Sequence, residues 1–181
     1  IVDKEVWEFI YDPKLKDADL IIMGTHGIKG RSKFFMGSNT LKVVQISNIP
    51  VLIIKDTLKK FDLKNIVFAF GFGEDTDGSF SKIKEIANLF DSTIHLLRVN
   101  TRSDFKTTIS TYSSMESFAK KFKLKKYTMN IYNDETIENG IIHFNGKVRP
   151  DLIAMETRER SRLQSFINPG ITNRVVNHTW K

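Results

Sequence analysis

Six short apolar runs punctuate the chain: Leu20–Met23, Val51–Ile54, Ile66–Phe70, Ile94–Val99, Tyr127–Tyr132 and Leu152–Met155. Several are continuously apolar rather than alternating, which is the pattern of a strand covered on both faces, as in a parallel sheet. Between the runs, apolar residues return at helical spacing. Val2, Val6, Phe9 and Ile10 share one face, with Asp3 as a cap and Pro13 discouraging continuation. Phe80, Ile83, Ala87 and Phe90 form a second stripe behind Asp77 and Ser79. Met115, Phe118, Ala119 and Phe122 form a third, opening at Ser113-Ser-Met-Glu116. That tetrad has the form of a capping box, in which each end side chain satisfies the other's free backbone N–H. Ile137, Ile141 and Phe144 make a fourth stripe behind Asp134. Strands alternating with helices of this length predict βαβ units joined by right-handed crossovers.

One stretch of the pattern occurs twice. Asp19-Leu-Ile-Ile-Met-Gly-Thr25 returns 132 residues later (151 less 19) as Asp151-Leu-Ile-Ala-Met-Glu-Thr157. At the same offset Phe34 matches Phe166, Thr40 matches Thr172, and Val43-Val44 matches Val175-Val176. Matches at one offset across a strand, a loop and a helix point to a duplicated unit. The expected boundaries are 1–55 for the end of a first unit, 56–64 for a linker and 65–181 for a second unit. The repeat places the start of the first unit roughly seventy residues upstream of Ile1, and the counterpart of Val51–Ile54 at about 183–186. The expectation is therefore a tandem repeat whose first unit is incomplete and whose second lacks its last strand.

Composition narrows the class. Apolar residues make up 40% and charged residues 27% of the chain, an ordinary globular balance. No apolar run approaches the ~18 residues of a membrane helix. The opening IVDKEVWEFI has neither the basic start nor the continuous apolar stretch of a signal peptide, so no membrane partner is expected. The absence of cysteine excludes disulfides and thiolate chemistry, and fits a cytoplasmic setting. The net charge of +7 is concentrated in Lys55–Lys64 and Lys120–Lys126. Those runs lack the interleaved aromatic and glycine pattern of an RNA-binding sheet. The charge reads as a solvated face and a charged linker rather than as a nucleic-acid partner.

The segment with chemical character runs from Met23 to Ile46. A buried strand ends at Met23, a loop containing Gly24, Gly27, Gly30 and Gly37 follows, and a helix begins near Gly37-Ser38 with Leu41 and Val44 turned inward. Ligands of parallel α/β sheets bind at the carboxyl ends of the strands. Glycines there let a phosphate approach backbone N–H groups without a side chain in the way. Ser38 and Asn39 stand at a helix N-terminus, where unpaired amides and the helix dipole favour an anion. Lys29 and Arg31 can add charge-assisted contacts. The order of residues is neither a Walker A loop nor a Rossmann G-x-G-x-x-G.

Gly24, two residues, Gly27, nine residues, then Gly37-Ser38: this spacing resembles the nucleotide-binding signature of the universal stress protein family. The flanks are similar too. Asp19-Leu-Ile-Ile-Met-Gly-Thr-His-Gly27 looks like the family's fourth strand and loop, and Val43 through Ile54 like its last helix and fifth strand. The resemblance spans essentially the whole chain, as the end of one unit followed by most of a second. It implies an adenine nucleotide alpha hydrolase-like α/β fold, with parallel five-stranded sheet units and helices on both faces. It implies pairing of units through their last strands, within one chain or in a homodimer. It also implies ATP as ligand, with or without Mg, its phosphates held by Gly24, Gly27, Gly37 and Ser38. Thr25, His26, Lys29 and Asn39 are neighbours of that motif by position. A role in stress regulation follows from family analogy alone.

The second unit departs from the pattern. Gly71 stands near the place of the acidic residue that helps hold adenosine in binding members, and Glu156, Glu159 and Pro169 replace the three glycines. Carboxylates at that loop would repel phosphate. The second unit is thus expected to be structural, with no cofactor. Two other readings remain open. A nucleotide-independent dimerisation or assembly scaffold of the same fold fits the second unit's loop, though not the intact first one. An ATPase would need a metal-holding carboxylate and a water-orienting group near the loop. No such pair, no Ser–His–Asp order and no G-x-S-x-G elbow is evident, so no catalytic residue is assigned and ATP hydrolysis is expected to be weak at most. His95, His143 and His178 are scattered without metal-ligand spacing, so no metal site is expected.

Overall fold

Each apolar run becomes a strand. The computed structural model describes residues 6–12, 17–24, 38–54, 61–69, 71, 77–155 and 175. The strands are β1 (Ile21–Gly24), β2 (Val51–Ile54), β3 (Asn65–Ala69), β4 (Thr93–Asn100), β5 (Tyr127–Asn133) and β6 (Leu152–Met155). The α-helices are α1 (Ser38–Ile46), α2 (Asp77–Phe90), α3 (Thr108–Lys121) and α4 (Ile137–Val148). The chain divides into two compact units, Ile1–Lys59 with Leu163–Lys181, and Lys60–Arg162. The repeat assigns Leu163–Lys181 to the second unit, whereas compactness groups that stretch with the first, and its described residue Val175 is buried. Among the described residues no helix is long and apolar enough to cross a membrane.

In the first unit β1 and β2 pair in parallel, with Ile21 opposite Val51 and Gly24 opposite Ile54. In the second unit four parallel strands stand in the order β5-β4-β3-β6. That order explains where the helices go. β3, β4 and β5 are laid down side by side in one direction, and their crossovers carry α2 and α3 onto one face. The chain then returns past β3 to place β6 on its far side, and a right-handed crossover in the reverse direction must carry α4 over the other face.

Packing follows the strand alternation. Ile66, Phe68, Ile94 and Leu96 turn toward α2 and α3, where they meet Phe80, Ala87, Met115, Phe118 and Ala119 in one buried cluster. The Phe80 ring lies edge-on to Phe118 at 4.6 Å between centroids and tilted on Phe68 at 4.8 Å. On the other face α4 supplies Ile141 and Phe144, with Phe144 edge-on to Tyr132 of β5. Gly140 allows this contact. A Cβ built there would lie 2.4 Å from Val99 Cγ1 on β4, well inside contact distance.

Asp151, the acid that opens the repeated segment, joins the strands at their starts. Its Oδ2 accepts from the backbone N–H groups of Lys64 at 2.9 Å and Asn65 at 3.0 Å. On the α4 face, a polar row crosses three strands. His95 Nε2 lies 3.2 Å from Asn65 Oδ1, His95 Nδ1 lies 2.8 Å from Thr128 Oγ1, and Asn130 donates to the same hydroxyl. Burial holds the pKa of the His95 imidazole below its ordinary 6.5.

The described part of the amino-terminal stripe, Val6–Tyr11, is a 3-10 helix, and Val2 and Asp3 lie outside the described residues. Two helix starts differ from the sequence expectation. The helix expected to open at Ser113 starts at Thr108. Thr107 Oγ1 accepts from the Ser110 N–H at 3.2 Å, so the hydroxyl-rich segment caps itself earlier and Ser113–Glu116 falls inside the helix. The cap of α4 is Thr136 rather than Asp134. Asp134 is engaged elsewhere, accepting from the Glu135 N–H and from His143 Nδ1 at 2.7 Å. The His143 hydrogen bond holds that carboxyl below its ordinary value.

Two outcomes test this architecture. Gly140→Ala should lower the stability of the chain by about 1–3 kcal/mol through overpacking against Val99, as read from urea unfolding. The unfolded chain binds the His95 proton more readily than the folded one. The corresponding stability is therefore intact above about pH 6.5 and is lost as the pH falls. His95→Gln should flatten that part of the stability profile in unfolding curves taken between about pH 5 and pH 8.

Candidate functional site

The first unit places a strand tip beside a helix start. β1 ends at Gly24, whose residue is exposed, and α1 begins at Ser38, exposed, and Asn39, half-buried. The two are tied together by Thr40, whose Oγ1 donates to the Gly24 carbonyl at 3.0 Å. Thr40 is itself buried, and with Val43 it forms the inward side of α1. The inward residues therefore lie one position earlier than Leu41 and Val44, which are only partly covered. The hydroxyl contact accounts for the difference, because it draws Thr40 under the strand tip.

This tie has an electrostatic consequence. The first turn of an α-helix carries N–H groups with no partner inside the helix. Here that turn contains no acidic residue and stands next to the carboxyl end of a parallel strand. A negative oxygen atom placed there would meet free amides and the positive end of the helix dipole. Of the residues expected from sequence, the structure brings Gly24, Ser38 and Asn39 together. Thr25, His26, Gly27, Lys29 and Gly37 lie outside the described residues. Thr40 was visible only as a member of the repeat. A hydroxyl in the first turn after a glycine loop, recurring as Thr172, is the signal that could have marked it.

The corresponding end of the second unit's sheet is built differently. Arg98, on the face of β4 that packs under α2 and α3, is buried and carries its guanidinium to the carboxyl ends of β3 and β4. Its Nη1 donates to the Gly71 carbonyl at 3.2 Å. Its Nη2 meets the Asp104 carboxylate at 2.6 Å and the Asp104 carbonyl at 3.3 Å. The loop that carries Asp104 is closed on itself. The Thr101 N–H donates to the Asp104 carbonyl, the Asp104 N–H donates to Thr101 Oγ1, and Asn100 exchanges two hydrogen bonds with the Lys106 backbone. Arg98 is hard to single out from sequence because it sits inside the apolar run Ile94–Val99. A single cation in such a run is the signal. Among the described residues, no group of three or more His, Asp or Glu side chains converges as a metal ion would require.

These features define a parallel α/β protein whose polar chemistry lies at the strand tips. Residues 13–55 match the model of the Universal stress protein family. That segment is similar to the family, and the chain as a whole takes the fold of the solved structures it resembles. A universal stress protein from Archaeoglobus fulgidus DSM 4304 superposes with a TM-score of 0.70 at 20% identity, over 95% of this chain and 61% of that one. A functionally unknown protein from Pseudomonas aeruginosa PAO1 gives a TM-score of 0.70 at 18% identity, over 97% of this chain and 65% of that one. The chain thus spans under two thirds of the length of these proteins. No curated protein sequence matches it.

Thr40→Val should cost about 1 kcal/mol of stability by removing the hydroxyl that donates to the Gly24 carbonyl. It should also speed amide exchange in the first turn of α1 relative to α3. Equal exchange in the variant and the parent would show that Thr40 does not hold the helix to the strand.

Proposed function

We propose that the chain is a nucleotide-responsive regulatory protein in which the first unit holds ATP, with or without Mg. The phosphates would lie over the Gly24, Gly27, Gly37-Ser38 loop and the N-terminus of α1, with Thr25, His26, Lys29 and Asn39 at its border. The observation that carries the reading is the Thr40–Gly24 hydrogen bond. It sets the free amides of a helix start against a strand tip, within the segment that matches the family model. The second unit is structural in this reading. Glu156, Glu159 and Pro169 replace its glycines, and Arg98 with Asp104 fills the ends of its strands. Pairing of units or of chains through their last strands would be the output that nucleotide biases. The site offers no base or metal carboxylate among its described residues, so binding rather than turnover is the activity assigned to it.

The test is a calorimetric titration of the chain with Mg-ATP, paired with thermal unfolding. Near one equivalent should bind, and ligand at a hundred times its Kd should add about 2.7 kcal/mol of stability. Gly27→Asp, which sets a carboxylate in the loop, should abolish both effects without changing the stability of the unliganded chain by more than about 1 kcal/mol. Unchanged unfolding at millimolar Mg-ATP would overturn the assignment and leave an assembly scaffold of the same fold. Adenosine binding as well as ATP would place the recognition in the base rather than in the phosphate loop.

A further inference from the structure

We propose that the carboxyl end of the second unit's sheet is an oxyanion site built on Arg98, closed in this structure by the chain's own Asp104. The inference is independent of nucleotide binding in the first unit.

Arg98 is 5% exposed, and a guanidinium keeps its charge across the physiological pH range. A cation held that deeply needs a counter-ion within reach. The one it has is on the solvent side. The Asp104 side chain is 45% exposed against 7% for Arg98, and it comes from a loop rather than from the sheet. The pairing is also incomplete. Asp104 offers Oδ2 to Nη2, while Arg98 Nε is buried and has no hydrogen-bond partner. An arginine matched to a two-oxygen group would use two parallel N–H donors. Here one donor is used on the carboxylate and the neighbouring Nε–H is left over.

A second orphan lies at the same end of the same layer. Thr111 Oγ1 is buried without a partner. It stands on the stripe of α3 that continues through Met115, Phe118 and Ala119 into the cluster under which Arg98 lies. Buried donors and acceptors without partners are uncommon in folded proteins, and two at one end of a sheet mark a place where a polar group is wanted. Gly71 itself brings no side chain to the guanidinium: a Cβ added there would meet Arg98 Nη1 at 3.8 Å, an ordinary contact. A ligand bearing a phosphoryl or carboxylate group could displace the exposed Asp104 carboxylate while the buried guanidinium stays in place. Its two oxygen atoms would then take Nε and Nη2 together.

The experiment follows thermal unfolding of the chain in sodium phosphate, sodium acetate and sodium chloride at equal ionic strength and pH. Three proteins are compared: the parent, Asp104→Asn, and Asp104→Asn combined with Arg98→Gln. Removing the internal carboxylate should lower the oxyanion concentration for half-maximal stabilisation about tenfold relative to the parent. Adding Arg98→Gln should abolish that gain. Stabilisation by phosphate alone identifies a phosphoryl ligand, and equal stabilisation by acetate identifies a carboxylate. No gain over the parent in Asp104→Asn, a gain retained in the double variant, or a gain equalled by chloride would overturn the proposal. Should Asp104→Asn fail to fold, the parent is read by nuclear magnetic resonance. The Arg98 Nε–H signal should move saturably with phosphate or acetate and not with chloride, and a signal that stays fixed overturns the site.

Discussion

A parallel strand covered on both faces has little room along its length for polar chemistry. Its backbone groups are taken by its neighbours, and its side chains meet helices above and below. In the second unit this holds literally: Ile66, Val67 and Phe68 of β3 are all buried, although successive residues point to opposite faces. What remains available is the end of each strand, where the ladder stops and the chain turns into a loop. Among the described residues the Gly24–Thr40 tie and the Arg98–Asp104 pair lie at such ends.

The same constraint decided what could be read from the sequence. Continuous apolar runs such as Leu152–Met155 announce strands, because burial on both faces leaves no alternation to confuse with a surface strand, and all six were legible. Helix starts were harder. Ser113-Ser-Met-Glu116 has the residues of a capping box, yet Thr107 captured the helix first, since several hydroxyls in succession compete for one role and tertiary packing chooses among them. Asp134 lost its expected capping role to Thr136 because His143, nine residues on, offered its carboxylate a stronger partner. Neither outcome is written in local pattern, because each depends on where a neighbouring turn sits in space.

The candidate sites were legible in proportion to their locality. Gly24 and Ser38 belong to one sequence motif, with Asn39 beside it, and Thr40 of the same helix turn donates to the Gly24 carbonyl. Arg98 belongs to no motif. Its meaning comes from Gly71, twenty-seven positions earlier, and from a loop closed by Thr101 and Asn100. A cation inside Ile94–Val99 looks like an interruption of a strand until the topology shows that its position is the tip.

The two units carry different chemistry at their strand ends. The first keeps its strand tip small, with a glycine carbonyl held by Thr40 and a helix start that carries no acidic residue. The positive end of a helix dipole lies in the backbone and needs no charged side chain. The second sets a full positive charge at its strand tips and then offsets it with an acid from the adjacent loop. Dipoles of a fixed backbone need no counter-ion, so such a position can stand open to solvent. A buried guanidinium cannot stand without one, because an uncompensated charge in the interior costs several kcal/mol. In the second unit Asp104 supplies that counter-ion, from a loop held by Thr101 and Asn100.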